Sequence, residues 1–179
     1  TATNGSVDIN SANGILINKA TAQLQAGNGD VTLQSHGKLE NHGNAQASSD
    51  VLISSTSANV INSGNLKANN DVTVTAGTTL NNSGKIDSIV RGNVILQSRD
   101  MLTNSGDVTV RSGNVDLLAG VEPAAGEQLV QTRAIINNSG NLAADGNVTF
   151  KAYVFGMWMI NGLTEYFQKA LDPAYFYQV

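Results

Sequence analysis

The chain has 179 residues, enough for one domain or for one stretch of a longer array. Charged residues are only 13% and the net charge is −4, with 10 Lys and Arg scattered along the sequence, so the concentrated basic surface that nucleic-acid binding requires is absent. Cysteine is absent too, which excludes a disulfide framework and a thiolate metal site.

The opening Thr1-Ala2-Thr3-Asn4-Gly5 has neither a basic start nor an apolar run, so no secretory signal is expected here. No segment reaches the roughly 18 apolar residues of a transmembrane helix. An alternating pattern is already under way at Val7, which reads as a piece cut from a longer polypeptide. Residues 1–28 read as irregular first coils. Leu16 and Asn18 imitate a later corner, but Lys19-Ala20 stand where Ser-Gly is expected.

From there two phrases alternate. The first is a small or polar pair followed by Val-x-apolar: Gly29-Asp30-Val31-Thr32-Leu33, Ser49-Asp50-Val51-Leu52-Ile53, Asn70-Asp71-Val72-Thr73-Val74 and Gly92-Asn93-Val94-Ile95-Leu96. It returns as Gly113-Asn114-Val115-Asp116-Leu117 and Gly146-Asn147-Val148-Thr149-Phe150. Period-two alternation is a strand signal with both apolar residues on one face. The second phrase is a corner, Asn41-His42-Gly43, Asn62-Ser63-Gly64, Asn82-Ser83-Gly84, Asn104-Ser105-Gly106 and Asn138-Ser139-Gly140. Its glycines recur at intervals of 21, 20, 22 and 34 residues. Apolar Leu39, Val60, Leu80, Leu102 and Ile136 stand two residues before each Asn, and Ala45, Leu66, Ile86, Val108 and Leu142 two after each Gly.

A fixed period in this range marks a solenoid, whose repeats bury their apolar side only by stacking on neighbours. Three short strands in about 21 residues wind into one coil, and each inward residue then lies over its counterpart in the next. Some seven coils at a spacing of about 4.8 Å make a rod on the order of 35 Å long. Small Ala47, Ala68 and Ala144 suit a narrow interior. At the corners, Gly43, Gly64, Gly84, Gly106 and Gly140 are expected to supply the positive φ of a sharp bend. Asn41, Asn62, Asn82, Asn104 and Asn138 are expected to stack as a ladder, since an amide both donates and accepts. Asn81, Asn137 and Asn147 also fall in glycosylation sequons, which an Asn-rich repeat produces by chance.

Two stretches depart from the shaft. Residues of about 119–133 form an insertion, including Glu122-Pro123-Ala124-Ala125-Gly126, which reads as a surface loop and a candidate contact face. The other is the tail, residues 153–179. All nine aromatic residues lie at or beyond Phe150. Met159, Ile160, Leu163, Tyr166, Phe167, Ala170 and Leu171 share one helical face, ended by Asp172-Pro173. The tail reads as an amphipathic cap over the coil end or as the start of another segment. Its aromatic residues Tyr153, Phe155, Trp158, Tyr166, Phe167, Tyr175, Phe176 and Tyr177 are candidates for contact with a partner.

The phrases Asn-Ser-Gly-(Asn/Lys)-(Leu/Ile) and Gly-Asn-Val-Thr-(Leu/Phe) resemble the repeats of the filamentous haemagglutinin family over about residues 29–150, and less closely back to Val7. These are very large exoproteins of Gram-negative bacteria, exported through a dedicated outer-membrane transporter by two-partner secretion. The resemblance implies a right-handed parallel β-helical shaft at the cell surface or secreted, with that transporter as a partner of the parent protein. It is shared by adhesins, haemolysin-like proteins and contact-dependent growth-inhibition exoproteins alike.

The fold expected is therefore all-β: a right-handed parallel β-helix shaft over residues 1–152, followed by a short α-helical aromatic segment. Function divides three ways: a stiff shaft presenting a distal binding or toxic domain, a segment that itself binds a receptor or glycan through the insertion or tail, and a carbohydrate-active β-helix. The last needs paired carboxylates on one sheet face. Of the outward Thr32, Leu52, Thr73, Ile95, Asp116 and Thr149, only Asp116 is ionisable. Asp30, Asp50 and Asp71 recur at the turn before the Val strand and give way to Asn93, Asn114 and Asn147, which suits a turn role. His36 and His42 have no third ligand in view. No catalytic residue, cofactor or metal is expected.

Overall fold

Short runs of Val, Ile, Leu and Thr with period-two polarity suit a pleated, half-buried surface. In the computed structural model, which describes residues 1–120 and 134–152, these runs become nineteen strands of three to five residues, with no helix among the described residues. Val7–Ser11, Val31–Ser35, Val51–Ser55, Val72–Ala76, Val94–Ser98, Val115–Ala119 and Val148–Ala152 lie side by side as a seven-stranded sheet, here sheet 1. Leu16–Asn18, Leu39–Asn41, Val60–Asn62, Thr79–Asn82, Met101–Asn104 and Ile135–Asn138 form the six-stranded sheet 2. Gln23–Ala26, Asn44–Ala47, Asn65–Ala68, Lys85–Ser88, Asp107–Val110 and Leu142–Ala144 form sheet 3.

Neighbours within a sheet are parallel and one coil apart in sequence, so the chain visits the three sheets in turn and repeats. That is a parallel β-solenoid. Register is strict: Val7, Val31, Val51, Val72, Val94, Val115 and Val148 form one column, separated by 24, 20, 21, 22, 21 and 33 residues. The spacing of 24 belongs to residues 1–28, where Leu16 and Asn18 pair in register with Leu39 and Asn41. The spacing of 33 spans the insertion. Residues 121–133 of it lie outside the described residues, but Ile135–Asn138 still pairs with Met101–Asn104, so the coil resumes in register. The C-terminal helix expected within residues 153–179 also lies outside them.

The core is a stack of columns. Val31, Val51, Val72, Val94 and Val115 are fully buried, as are Leu33, Ile53, Val74, Leu96 and Leu117 beside them and Leu39, Val60, Leu80 and Leu102 on sheet 2. Each contributes roughly 1.5–3 kcal/mol by leaving water. Sheet 3 ends on smaller residues, Ala26, Ala47, Ala68, Ser88, Val110 and Ala144, where the chain turns back into sheet 1. The outward Leu52, Ile95 and Leu118, which break the alternation in sequence, face away from the core on sheet 1 and are half-buried.

Candidate functional site

The corner between sheets 2 and 3 carries a continuous side-chain ladder. Strand alternation turns the last residue of each sheet 2 strand inward, and in-register stacking then sets one Asn over the next. Asn18 Nδ2 donates to Asn41 Oδ1 at 2.6 Å, Asn41 to Asn62 at 2.7 Å, Asn62 to Asn82 at 2.7 Å, Asn82 to Asn104 at 2.6 Å and Asn104 to Asn138 at 2.8 Å. Asn41, Asn62, Asn82 and Asn104 are fully buried, so unmade bonds here would leave amides stranded in the core. The second Nδ2 hydrogen reaches across the corner in several coils, as from Asn41 to Gly43 O at 3.3 Å and Asn104 to Gly106 O at 3.3 Å. Asn18 belongs to this ladder despite the Lys19-Ala20 that follows it. The legible signal was Leu16-x-Asn18, the spacing of Leu39-x-Asn41.

The corner glycines have a different reason from the one expected. Positive φ occurs instead at Gly92 (122°), Gly113 (148°) and Gly120 (91°). At the Asn-x-Gly corners the constraint is the neighbouring coil. A Cβ at Gly84, Gly106 or Gly140 would lie 2.8 Å from the carbonyl carbon of Ser63, Ser83 or Ser105 and would overlap the carbonyl oxygen of the glycine one coil back. The backbones approach this closely because the Ser63 and Gly64 N–H groups both donate to Asn41 O, at 2.8 and 3.1 Å, and the pattern repeats at Asn62, Asn82 and Asn104. Only glycine fits between such tightly stacked turns.

A second ladder runs where sheet 3 turns into sheet 1. Asp30 Oδ1 accepts the Asp50 N–H at 3.0 Å, Asp50 Oδ1 the Asp71 N–H at 3.0 Å, and Asp71 Oδ1 the Asn93 N–H at 2.6 Å. Asn93 and Asn114 continue it, accepting from Asn114 at 2.9 Å and Asn147 at 2.8 Å. Each step requires one side-chain acceptor and no donor, which explains why Asp and Asn interchange along the column.

On the outside of the shaft, coil two departs from the repeat at three neighbouring positions. Lys38, Glu40 and His42 alternate with the buried Leu39 and Asn41, so all three face outward. The Lys38 ammonium pairs with Glu40 Oε1, and Glu40 Oε2 lies 2.9 Å from His42 Nε2. The Asn41–Asn62 register sets Ser63 directly over His42, with Ser63 Oγ 2.6 Å from His42 Nδ1. Hydrogen bonds from Lys38 first, then His42, hold the Glu40 carboxyl below the usual carboxylate range. On sheet 3, Lys85 pairs with Asp87 at 2.7 Å, and that hydrogen bond raises the lysine above its ordinary value. His36 Nδ1 meets Thr56 Oγ1 at 3.0 Å beside a shallow polar groove of Asn10, Gln34 and Ser54. Among the described residues no three His, Asp or Glu side chains gather as a metal-holding group. No helix among them is long and apolar enough to cross a membrane.

The remaining candidates, Tyr153, Phe155, Trp158, Tyr166, Phe167, Tyr175, Phe176 and Tyr177, lie outside the described residues, as does most of the insertion. No curated protein and no solved structure matches the chain. The haemagglutinin repeat family matches residues 2–60 and 54–152, a span that takes in the stacked coils described above. With most of its length covered by that repeat, the chain belongs to the haemagglutinin repeat family.

Proposed function

We propose that this chain is a shaft segment of a large secreted or cell-surface exoprotein of a Gram-negative bacterium, holding a distal adhesive or toxic domain away from the producing cell. The haemagglutinin repeat is a structural repeat of adhesin-like exoproteins, and a stiff spacer agrees with that. The observation that carries the reading is the unbroken Asn18-to-Asn138 ladder. It commits the buried corner amides of successive coils to one another, as a load-carrying stack needs. The parent's partner would be an outer-membrane transporter of two-partner secretion, and its distal domain would meet a receptor or glycan on another cell.

The rival reading assigns binding to this segment itself, through residues 119–133 or the aromatic 153–179. Binding of the whole chain to cells and to a glycan array is compared with variants lacking either stretch. Binding that is absent, or unchanged in both deletions, supports the shaft. Loss of binding with one deletion replaces it with the rival. Turnover of acidic polysaccharide by the purified chain would favour a carbohydrate-active β-helix instead.

A further inference from the structure

The row of outward residues in coil two carries chemistry that a spacer does not require. Four of the five Asn-x-Gly corners place Ser at the middle position, as Ser63, Ser83, Ser105 and Ser139, and the fifth places His42 there. The residue two before that position is Glu40 in the same coil, and Ile61, Asn81, Thr103 and Asn137 in the others. An acid and an imidazole therefore enter together, in contact, in one coil, under the serine of the next.

The hydrogen-bond roles follow from valence. A carboxylate only accepts, so His42 Nε2 must carry the hydrogen that lies toward Glu40 Oε2 at 2.9 Å. In the neutral ring Nδ1 then offers its lone pair, and the Ser63 hydroxyl, 2.6 Å away, donates to it. Glu40, in turn, is steadied by Lys38. Nucleophile, base and orienting acid are each within hydrogen-bond reach, the arrangement that activates a serine. Ser63 is exposed, so an incoming reagent meets no wall.

We propose that Ser63 is a base-activated nucleophile that takes an acyl group from an activated ester or thioester. Ser63 Oγ bonds to the carbonyl carbon while its proton passes to His42 Nδ1. The bond from that carbon to the leaving oxygen or sulfur breaks, and the leaving group takes the proton from the imidazolium. His42 is the base and Glu40 a positioning residue. Phosphoryl donors are disfavoured because the Lys38 ammonium is already committed to Glu40. The backbone N–H groups of Ser63 and Gly64, which could otherwise cradle an oxyanion, both donate to Asn41 O. The product is thus a lasting acyl-Ser63, formed once per chain, rather than rapid turnover.

The corner supplies its own controls. The intact chain is treated with 4-nitrophenyl acetate, digested, and the acetyl groups on Ser63, Ser83, Ser105 and Ser139 are quantified by mass spectrometry. General-base assistance on the order of 10²-fold predicts acetylation at Ser63 well above the other three. His42→Gln lowers Ser63 to their level while the melting curve stays native. Glu40→Ala lowers it partly, and ring-nitrogen NMR shows the single His42 tautomer of the native chain becoming a mixture. Equal labelling of the four serines, or full labelling of Ser63 in the folded His42→Gln chain, overturns the proposal.

Discussion

The two ladders make opposite demands, so one substitution placed in each should have opposite consequences. Asn82 both accepts from Asn62 at 2.7 Å and donates to Asn104 at 2.6 Å, and it is fully buried. Asn82→Asp keeps the acceptor and turns the donor into an oxygen facing Asn104 Oδ1. A protonated carboxyl would restore a donor in nearly the same shape, so the penalty is capped by the free energy of holding that proton. For a carboxyl with an unfolded-state pKa of about 3.9, that is roughly 4 kcal/mol at pH 7. The folded-state pKa lies above the unfolded value, so the folded chain binds more protons. Stability therefore rises as pH falls, by about 1.4 kcal/mol per unit, until pH approaches 4. Asn93, in contrast, only accepts, from the Asn114 N–H at 2.9 Å, and the Asp71 below it already holds the same place. Asn93→Asp should stay within about 1 kcal/mol of the native chain, with a small repulsion from Asp71 screened by salt. Urea denaturation of both variants at pH 7, 6 and 4.5 measures this. Equal losses in the two, or a loss in Asn82→Asp that ignores pH, would refute the donor-and-acceptor account of the ladders.

Local geometry sets the remaining outcomes. Two serines of one column should respond oppositely to removal of the hydroxyl. Ser98 Oγ is buried with no partner among the described residues, between Ala76 and Ala119, so Ser98→Ala should leave urea stability unchanged or raise it by up to about 1 kcal/mol. Ser55 donates to Gly37 O at 2.7 Å and accepts from the Ala58 N–H at 3.1 Å, so Ser55→Ala should lower it by about 1–2 kcal/mol. Gly84→Ala should force two coils apart and lower the melting temperature, an overpacking loss of about 1–3 kcal/mol, whereas Gly5→Ala, with nothing within 4 Å, should leave it unchanged. The Glu40 carboxyl sits below its ordinary value of 4.5 chiefly through Lys38, so Lys38→Met should raise its titration midpoint in carbon NMR. Because the folded value is depressed, that contact assists folding above about pH 4.5 and fades as pH falls through the folded midpoint. An unmoved midpoint would remove Lys38 as the cause.

The coil was legible because its information is local and repeated: Val-x-apolar and apolar-x-Asn-x-Gly each specify a strand face, and repetition supplies the stacking partner. Less legible were features defined between coils. The glycine requirement looked like a dihedral preference but comes from the carbonyl one coil away, a distance that no single repeat encodes. The Asp-to-Asn exchange along 30, 50, 71, 93, 114 and 147 hinted at a non-acidic role, yet the acceptor-only bond becomes visible only once successive backbones are stacked. Ser63 meets His42 for the same reason. They stand 21 residues apart, and only the Asn41–Asn62 register brings them together.

That register also explains how a β-solenoid can carry a reactive point on its outside. Inward columns tolerate little variation, since each side chain must fit those above and below; Gly64 and Asn62 are fixed by Asn41 and Gly43 as much as by their own coil. Outward positions carry no such constraint, and a change at one, as at Glu40 or His42, leaves the next coil's strand geometry untouched. Yet parallel stacking still delivers the changed residue to a known neighbour at hydrogen-bond range, about one strand spacing of 4.8 Å away along the axis. A solenoid can thus bring chosen side chains together outside without disturbing its core. The triple variant Lys38→Thr, Glu40→Asn, His42→Ser strips the row of its charge and its base while keeping polar side chains on the surface. It should leave the urea midpoint free energy within about 1 kcal/mol of native while abolishing preferential acylation of Ser63. A large loss of stability in that chain would mean that the row braces the coil, and the separation of outer chemistry from inner packing would fail.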